Sequence, residues 1–198
     1  CTIDNANTNE DFITTIPGRK AFEIIRSLGN KEIEMLISDS TITIKSSNSS
    51  FKLQSLSANE FPLFDAAGSD TTFGAKQQEI KSLFNKTQFS MAQQDVRFYL
   101  NGLLLEVSPN KLVSVGTDGH RLAKSKITIE KANINEASYI LPRKAVQEIQ
   151  RIINDQGETK ITFSDNRAVF EFGSTTLVTK LIDGSFPDYT RVIPDDTS

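Results

Sequence analysis

The chain has 198 residues, 37% apolar and 24% charged, and its 22 basic against 25 acidic side chains leave a net charge of −3. No apolar run approaches the roughly 20 residues that span a bilayer, no signal peptide is expected, and the lone Cys1 excludes an internal disulfide or a cysteine-built zinc site. Cytoplasm is the expected compartment, and the acidic balance argues against a protein that coats nucleic acid by neutralising phosphate.

Residues 1 to 12 are polar, and Thr14 to Ile16 read as the end of a strand. Pro17 then suits a helix start, since its missing N–H costs nothing in the first turn. Ala21, Ile24, Ile25 and Leu28 supply an i, i+3, i+4, i+7 face, and Gly29-Asn30 stops the helix. Strand patterns follow at 32–37, 41–45 and 51–56. The small polar run Asp65 to Asp70 reads as a linker, with a second domain starting near Thr71. A helix is predicted over 75–85 with Ile80, Leu83 and Phe84 inward, then strands at 97–100, 103–107, 112–117 and 121–129. Asn101-Gly102 is a strong hairpin signal, and Ser108-Pro109-Asn110 marks the next turn. A last helix is predicted over 143–153, with strands at 160–163, 167–172 and 176–182.

The chain nearly repeats itself. Pro17 to Pro62 and Pro142 to Pro187 share one plan: proline with a basic pair, a helix, a polar turn, a Ser-Asp pair, alternating strands and a closing Phe-Pro. The copies lie about 125 residues apart, a domain length and far too long for a solenoid repeat. The second copy is preceded by about 70 further residues and the first by only 16, so the chain is expected to begin inside a domain of a longer protein. A helix alternating with antiparallel meanders is an α+β plan.

Charge placement gives a functional lead. Arg19, Lys20 and Arg26 with Glu23, then Lys76, Lys81 and Lys86 with Glu79, then Arg143, Lys144 and Arg151 with Glu148 make three helix regions of net +2 in an acidic chain. Exposed helix faces commonly carry Lys and Arg. Three equivalent helices on one concave side would instead attract a polyanion without reading its sequence. Arg143 and Lys144 at a helix start oppose the helix dipole, and an external anion would offset that cost.

The densest polar segment, Thr117-Asp-Gly-His-Arg-Leu-Ala123, holds the only histidine. A hydrolase reading makes His120 a base oriented by Asp118, but no nucleophile motif accompanies the pair. One histidine with scattered carboxylates also lacks metal-ligand spacing. The structural reading is a tight turn in which Asp118 bonds its own backbone and Gly119 supplies the special conformation. Leu122 at the turn exit, framed by His120 and Arg121, would then line a surface groove.

Gln88-Phe-Ser-Met-Ala92, Asp95-Val-Arg-Phe-Tyr-Leu-Asn-Gly102, Thr117-Asp-Gly-His-Arg-Leu-Ala123, Pro142-Arg-Lys144 and Asp183-Gly-Ser-Phe-Pro-Asp-Tyr-Thr-Arg-Val-Ile-Pro194 together resemble the bacterial DNA polymerase III beta subunit, the DNA sliding clamp family, over essentially the whole chain. The resemblance implies the DNA-clamp fold, with residues 1–68 as the later half of domain one, 71–192 as a complete domain two, and 193–198 as the start of a connection to domain three. It implies a non-catalytic processivity factor without cofactor or metal: two chains close into a ring on duplex DNA and tether the replicative polymerase. The clamp loader and other clamp-motif proteins are further implied partners. A chain holding only domain two and half of domain one is expected to be monomeric.

The same resemblance assigns residues. Arg19, Lys20, Lys76, Lys81, Gln94, Arg97, Tyr99, Arg143, Lys144 and Arg151 would face DNA. Arg97, Leu100, Thr117, Gly119, His120, Arg121, Leu122, Pro187, Arg191 and Val192 would form the domain-two side of a partner-peptide groove. Within it, Leu122, Pro187 and Val192 make an apolar pocket, and Leu100, Thr117, His120 and Arg121 a more polar subsite. Thr190 stands where many relatives carry a second basic residue before Arg191.

Overall fold

The computed structural model describes residues 13–29, 32–38, 40–60, 71–130, 134–164 and 166–194. Two compact units divide the chain near Asp65. The expected linker at 65–70 and the Asn30 stop lie outside the described residues.

In the first unit, α1 (Gly18–Leu28) is followed by β1 (Glu34–Ser38), β2 (Thr41–Ser46) and β3 (Ser49–Gln54), paired antiparallel in the order β1-β2-β3. Pro17 is the residue before the helix rather than its first member, and its carbonyl accepts from Ala21 N–H at 3.0 Å. Ala21 and Leu28 pack with Ile42, Ile44 and Leu53, and Ile24 joins them at the edge. Ile25, expected inward, is 37% exposed, so the buried stripe of α1 is narrower than its apolar spacing implies. Ile42 and Ile44 point the same way along β2, as strand alternation requires.

The second unit consists of two equivalent halves. One runs β4 (Thr71–Lys76), α2 (Gln77–Asn85), β5 (Gly102–Ser108), β6 (Lys111–Thr117) and β7 (Leu122–Thr128). The other runs β8 (Ala137–Pro142), α3 (Arg143–Ile152), β9 (Glu158–Ser164), β10 (Arg167–Phe172) and β11 (Thr175–Lys180). Each half lends its first strand to the other's sheet, giving the orders β11-β10-β9-β4 and β7-β6-β5-β8. The α+β expectation holds, and α3 with β9 to β11 repeats the plan of α1 with β1 to β3.

Three local readings are corrected. Residues 71–76 form a strand, so the helix starts at Gln77, and Ala75 and Lys76 belong to β4. The alternation of buried Thr71, Phe73 and Ala75 is what a half-buried strand requires. Strand β8, unassigned in the sequence, pairs with β5 from Ala137↔Val107 to Pro142↔Gly102. Residues 98–101 form a 3-10 turn, and Asn101-Gly102 makes no hairpin. Gly102 is extended (φ −142°) and is a glycine for a steric reason: a Cβ there would sit 2.6 Å from the Leu141 carbonyl oxygen.

The main core lies between the two sheets and the two helices. Leu103, Leu105 and Val107 enter it from β5, Phe73 from β4, Phe163 from β9, Phe170 from β10, and Ile80, Leu83, Phe84, Val146 and Ile149 from the helices. Tyr139 stacks on Phe163 with centroids 4.2 Å apart. Each large apolar side chain buried here contributes about 1.5–3 kcal/mol before entropy is charged against it. The alternate residues of the second sheet face outward and form a smaller cluster of Leu104, Val113, Val115 and Ile140 with Tyr189, flanked by Tyr99, Leu122, Ile182 and Phe186. That second apolar face positions the candidate site.

Candidate functional site

The chain leaving β11 crosses the outer face of the second sheet. Ile182 N–H donates to the Ile140 carbonyl at 2.9 Å, continuing the ladder beyond β8. The segment then ends in a 3-10 turn, Tyr189–Val192, capped by Asp188, whose side chain accepts from Thr190 N–H at 3.2 Å and from Arg191 Nε at 2.9 Å. Tyr189 is buried against the sheet, and the Lys124 ammonium lies 4.8 Å from its ring centroid. Thr190 therefore works with Asp188 as part of the cap. Leu122, at the start of β7, packs on the same cluster as Tyr189, while Pro187 and Val192 flank Tyr189 in the chain and stay exposed, Val192 to 68%.

Beside this apolar strip the 117–122 segment is held by its own polar groups. Asp118 Oδ1 accepts from the His120 and Arg121 N–H groups, both at 3.0 Å, and Oδ2 accepts from Arg121 Nε at 3.0 Å. Those backbone bonds, followed by the arginine, hold the Asp118 carboxyl down to about 2. Thr117 Oγ1 donates to the Arg121 carbonyl at 2.7 Å and accepts from Gly119 N–H at 3.1 Å, and Gly119 adopts φ +88°. The Asp-Gly turn read from the sequence is thus the one formed. Among the described contacts no hydrogen bond joins Asp118 to the His120 ring, and both carboxylate oxygens are committed elsewhere. The orientation that a His-Asp base pair needs is not built here.

Arg121 reaches across to the 88–90 turn, donating from Nη2 to the Phe89 carbonyl at 2.7 Å with its guanidinium carbon 5.8 Å from the Phe89 ring centroid. A cleft of about 460 Å³ opens between these elements, and Phe89, Gln94, Arg97, His120, Arg121 and Arg143 line it. Arg143 is half-buried, with Nη1 donating to the Met91 carbonyl at 3.3 Å. Residues expected on two different faces, Gln94 and Arg143 toward DNA and His120 and Arg121 toward a peptide, meet in this one cleft, with Arg97 common to both.

The structure changes the roles of several expected residues. Leu100 is only 2% exposed and Thr117 is buried, so neither presents its side chain at the surface as a groove-lining residue would. Lys76 ends strand β4 instead of lying on a helix, and Lys86 caps α2, so α2 itself carries only Lys81 and Glu79 and is neutral. Lys81 also pairs with Asp155 at 2.6 Å. On α3, Lys144, Gln147 and Arg151 are exposed at helical spacing, with Arg151 bonded to Glu148 at 3.0 Å. Arg19 and Lys20 are exposed on α1, where Arg19 meets Glu23 at 3.2 Å. Phe89, Asp95 and Tyr189 were not among the residues expected at the site. All three lie inside the motifs that carry the family resemblance, which was their legible signal.

Two interleaved helix-and-meander halves around a shared core, with a capped turn laid on the outer sheet face, define a DNA-clamp domain. The family profile described as the DNA polymerase III beta subunit central domain matches residues 75–188, and that of its N-terminal domain matches residues 1–65. The chain belongs to the DNA polymerase III beta subunit family. It is 39% identical over 182 residues to the beta sliding clamp of Pseudomonas aeruginosa, covering 91% of this chain and 50% of that one. It is 40% identical over 189 residues to that of Escherichia coli K12, covering 94% and 51%. A crystal structure of the P. aeruginosa subunit superposes with a TM-score of 0.86 at 38% identity, covering 92% of this chain and 51% of that one. A P. aeruginosa sliding clamp bound to griselimycin gives 0.83 at 38%, covering 92% and 50%. The chain spans about half the length of the curated relatives it matches.

Proposed function

We propose that this chain is part of a ring-forming processivity clamp that encircles duplex DNA and tethers the replicative polymerase through a groove on its second domain. The carrying observation is that Leu122 and the Tyr189–Val192 turn converge on the apolar outer face of the second sheet, beside the self-bonded Asp118 turn, in a chain of the beta subunit family. An apolar strip with a polar, preformed rim suits short peptide motifs anchored by a hydrophobic side chain. Binding of griselimycin by a relative supports a ligand-binding role.

The clamp performs no chemistry and needs no cofactor. Weak phosphate contacts from α1 and α3 allow sliding, ring closure prevents sideways escape, and tethering raises the effective concentration of polymerase at the primer end. Residues 1–68 serve as the later half of domain one, 71–192 as domain two and 193–198 as the lead into domain three. The full-length protein closes as a homodimer in the cytoplasm and also serves the clamp loader and other clamp-motif partners, while residues 1–198 alone remain monomeric. Among the described residues no helix is long and apolar enough to cross a membrane.

The test is titration of a labelled peptide from the polymerase C-terminus against the full-length protein and its Leu122→Asp and Val192→Asp variants. Saturable binding that both folded variants lose is the expected result. Equal binding in all three would remove the groove assignment.

A further inference from the structure

Arg97 is the one residue expected on both faces, and the structure holds it with a residue that has so far been given no role. Asp95 receives three bonds from it: the Arg97 backbone N–H to Oδ1 at 2.8 Å, Nε to Oδ1 at 3.0 Å, and Nη2 to Oδ2 at 2.8 Å. Asp95 is itself clasped, since its N–H donates to Asn101 Oδ1 at 3.0 Å and Asn101 Nδ2 donates to its carbonyl at 2.9 Å. A bond from Ala92 N–H to the Leu100 carbonyl at 2.9 Å closes the loop outside this clasp. Gln94, immediately before Asp95, adopts φ +57°. A non-glycine residue persists in that conformation only where its surroundings over-determine it.

The loop therefore presents Arg97 in one direction. Its Nη2 also donates to the Asp118 carbonyl at 3.3 Å, and its guanidinium lies so close to Gly119 that a Cβ there would be 3.1 Å from Nη1. A bidentate carboxylate neutralises much of the charge that a phosphate would seek, while the planar fork, laid on the 118–119 backbone, becomes a fixed wall of the cleft. We propose that Asp95 is a positioning residue that commits Arg97 to the partner-peptide groove rather than to DNA. This rests on the groove reading given above.

The experiment is titration with the peptide, and in parallel with primed DNA, on the full-length protein carrying Asp95→Ala, Arg97→Ala and both together, with Leu122→Asp alongside and thermal melts to confirm folding. Asp95→Ala should weaken binding roughly fivefold, and the double variant should be no weaker than Arg97→Ala alone, because Asp95 acts through Arg97. Asp95→Asn, which keeps an oxygen for the Arg97 N–H, should recover part of the affinity and substitutes for the alanine variant if that one unfolds. The same additional loss in the Arg97→Ala background would overturn the proposal, since Asp95 would then serve the loop alone. Intact peptide affinity with altered binding to primed DNA would overturn it by placing Arg97 on the DNA. If Leu122→Asp weakens binding and Asp95→Ala does not, only the Asp95 proposal fails. If Leu122→Asp has no effect, the groove reading fails and takes this one with it.

Discussion

The Tyr189 hydroxyl donates to Glu106 Oε2 at 2.7 Å, tying the turn that carries Arg191 and Val192 to the outward face of strand β5. Burial, followed by that bond, pushes the phenol well above its ordinary range, so at neutral pH it is protonated and donates. Tyr189→Phe should cost about 1 kcal/mol by leaving Glu106 without its partner. Tyr189→Ala should cost about 3 kcal/mol or more, because the ring also fills the outer cluster. Denaturant titration of both variants checks this, and equal stabilities would show that the hydroxyl bond, rather than the ring, seats the turn.

Gly102 and Gly74 should respond oppositely to the same substitution. A Cβ at Gly102 meets the Leu141 carbonyl at 2.6 Å and the Ile140 Cγ2 at 2.9 Å, where strands β5 and β8 join. Gly102→Ala is therefore expected to cost about 1–3 kcal/mol through overpacking against backbone. At Gly74, in β4, nothing lies within 4 Å of the added carbon. Gly74→Ala should be neutral or stabilising by about 0.5 kcal/mol, since it restricts the unfolded chain. A higher melting temperature for Gly102→Ala than for Gly74→Ala would contradict the strand pairing.

The helices and most strands were legible because their buried residues follow a period of 3.6 or 2: Ile80, Leu83 and Phe84 on α2, and Ala168, Phe170 and Phe172 on β10. What escaped the sequence depends on distant partners. Strands β4 and β8 each complete the sheet of the opposite half, so their pairing has no local signature. Asn101-Gly102 has the composition of a hairpin, yet the Asn101 amide is taken by Asp95 and Gly102 is needed for strand contact. The Asp118 turn was readable because its bonds are local. That Leu122 and Tyr189 share one apolar face was not, since that proximity comes from the chain crossing the sheet after β11.

Acid should loosen the cleft within a defined window. Arg97 bonds hold Asp95 at about 2, and backbone bonds hold Asp118 at about 2, both below the ordinary 3.8. The folded state thus binds fewer protons than the unfolded one between these values. Their contribution to stability is present above about 3.8 and is lost as pH falls toward 2. Asp118→Asn should be less stable than the parent at pH 6 and should lose stability less steeply between about pH 4 and 2. Urea titrations across that range decide the matter, and identical pH slopes would mean that the carboxylate is not held.

Charge reversal separates the helices as DNA contacts. Lys144 stands exposed on α3 and joins none of the ion pairs among the described residues, whereas Lys81 on α2 is already matched to Asp155 at 2.6 Å. A cation free to meet phosphate releases a counterion when it does so; one already paired adds less. In the full-length protein, Lys144→Glu should therefore reduce the slope of log K against log salt by about 1 per chain, and Lys81→Glu by clearly less. Placing two acidic groups together at Asp155 should cost Lys81→Glu some stability, which a melt would register separately from DNA binding. Salt titrations on nicked circular DNA measure the slopes. Equal slopes for the parent and Lys144→Glu would take α3 off the DNA face, while a larger change for Lys81→Glu would mean that DNA displaces Asp155 and that α2 is the helix nearer the duplex.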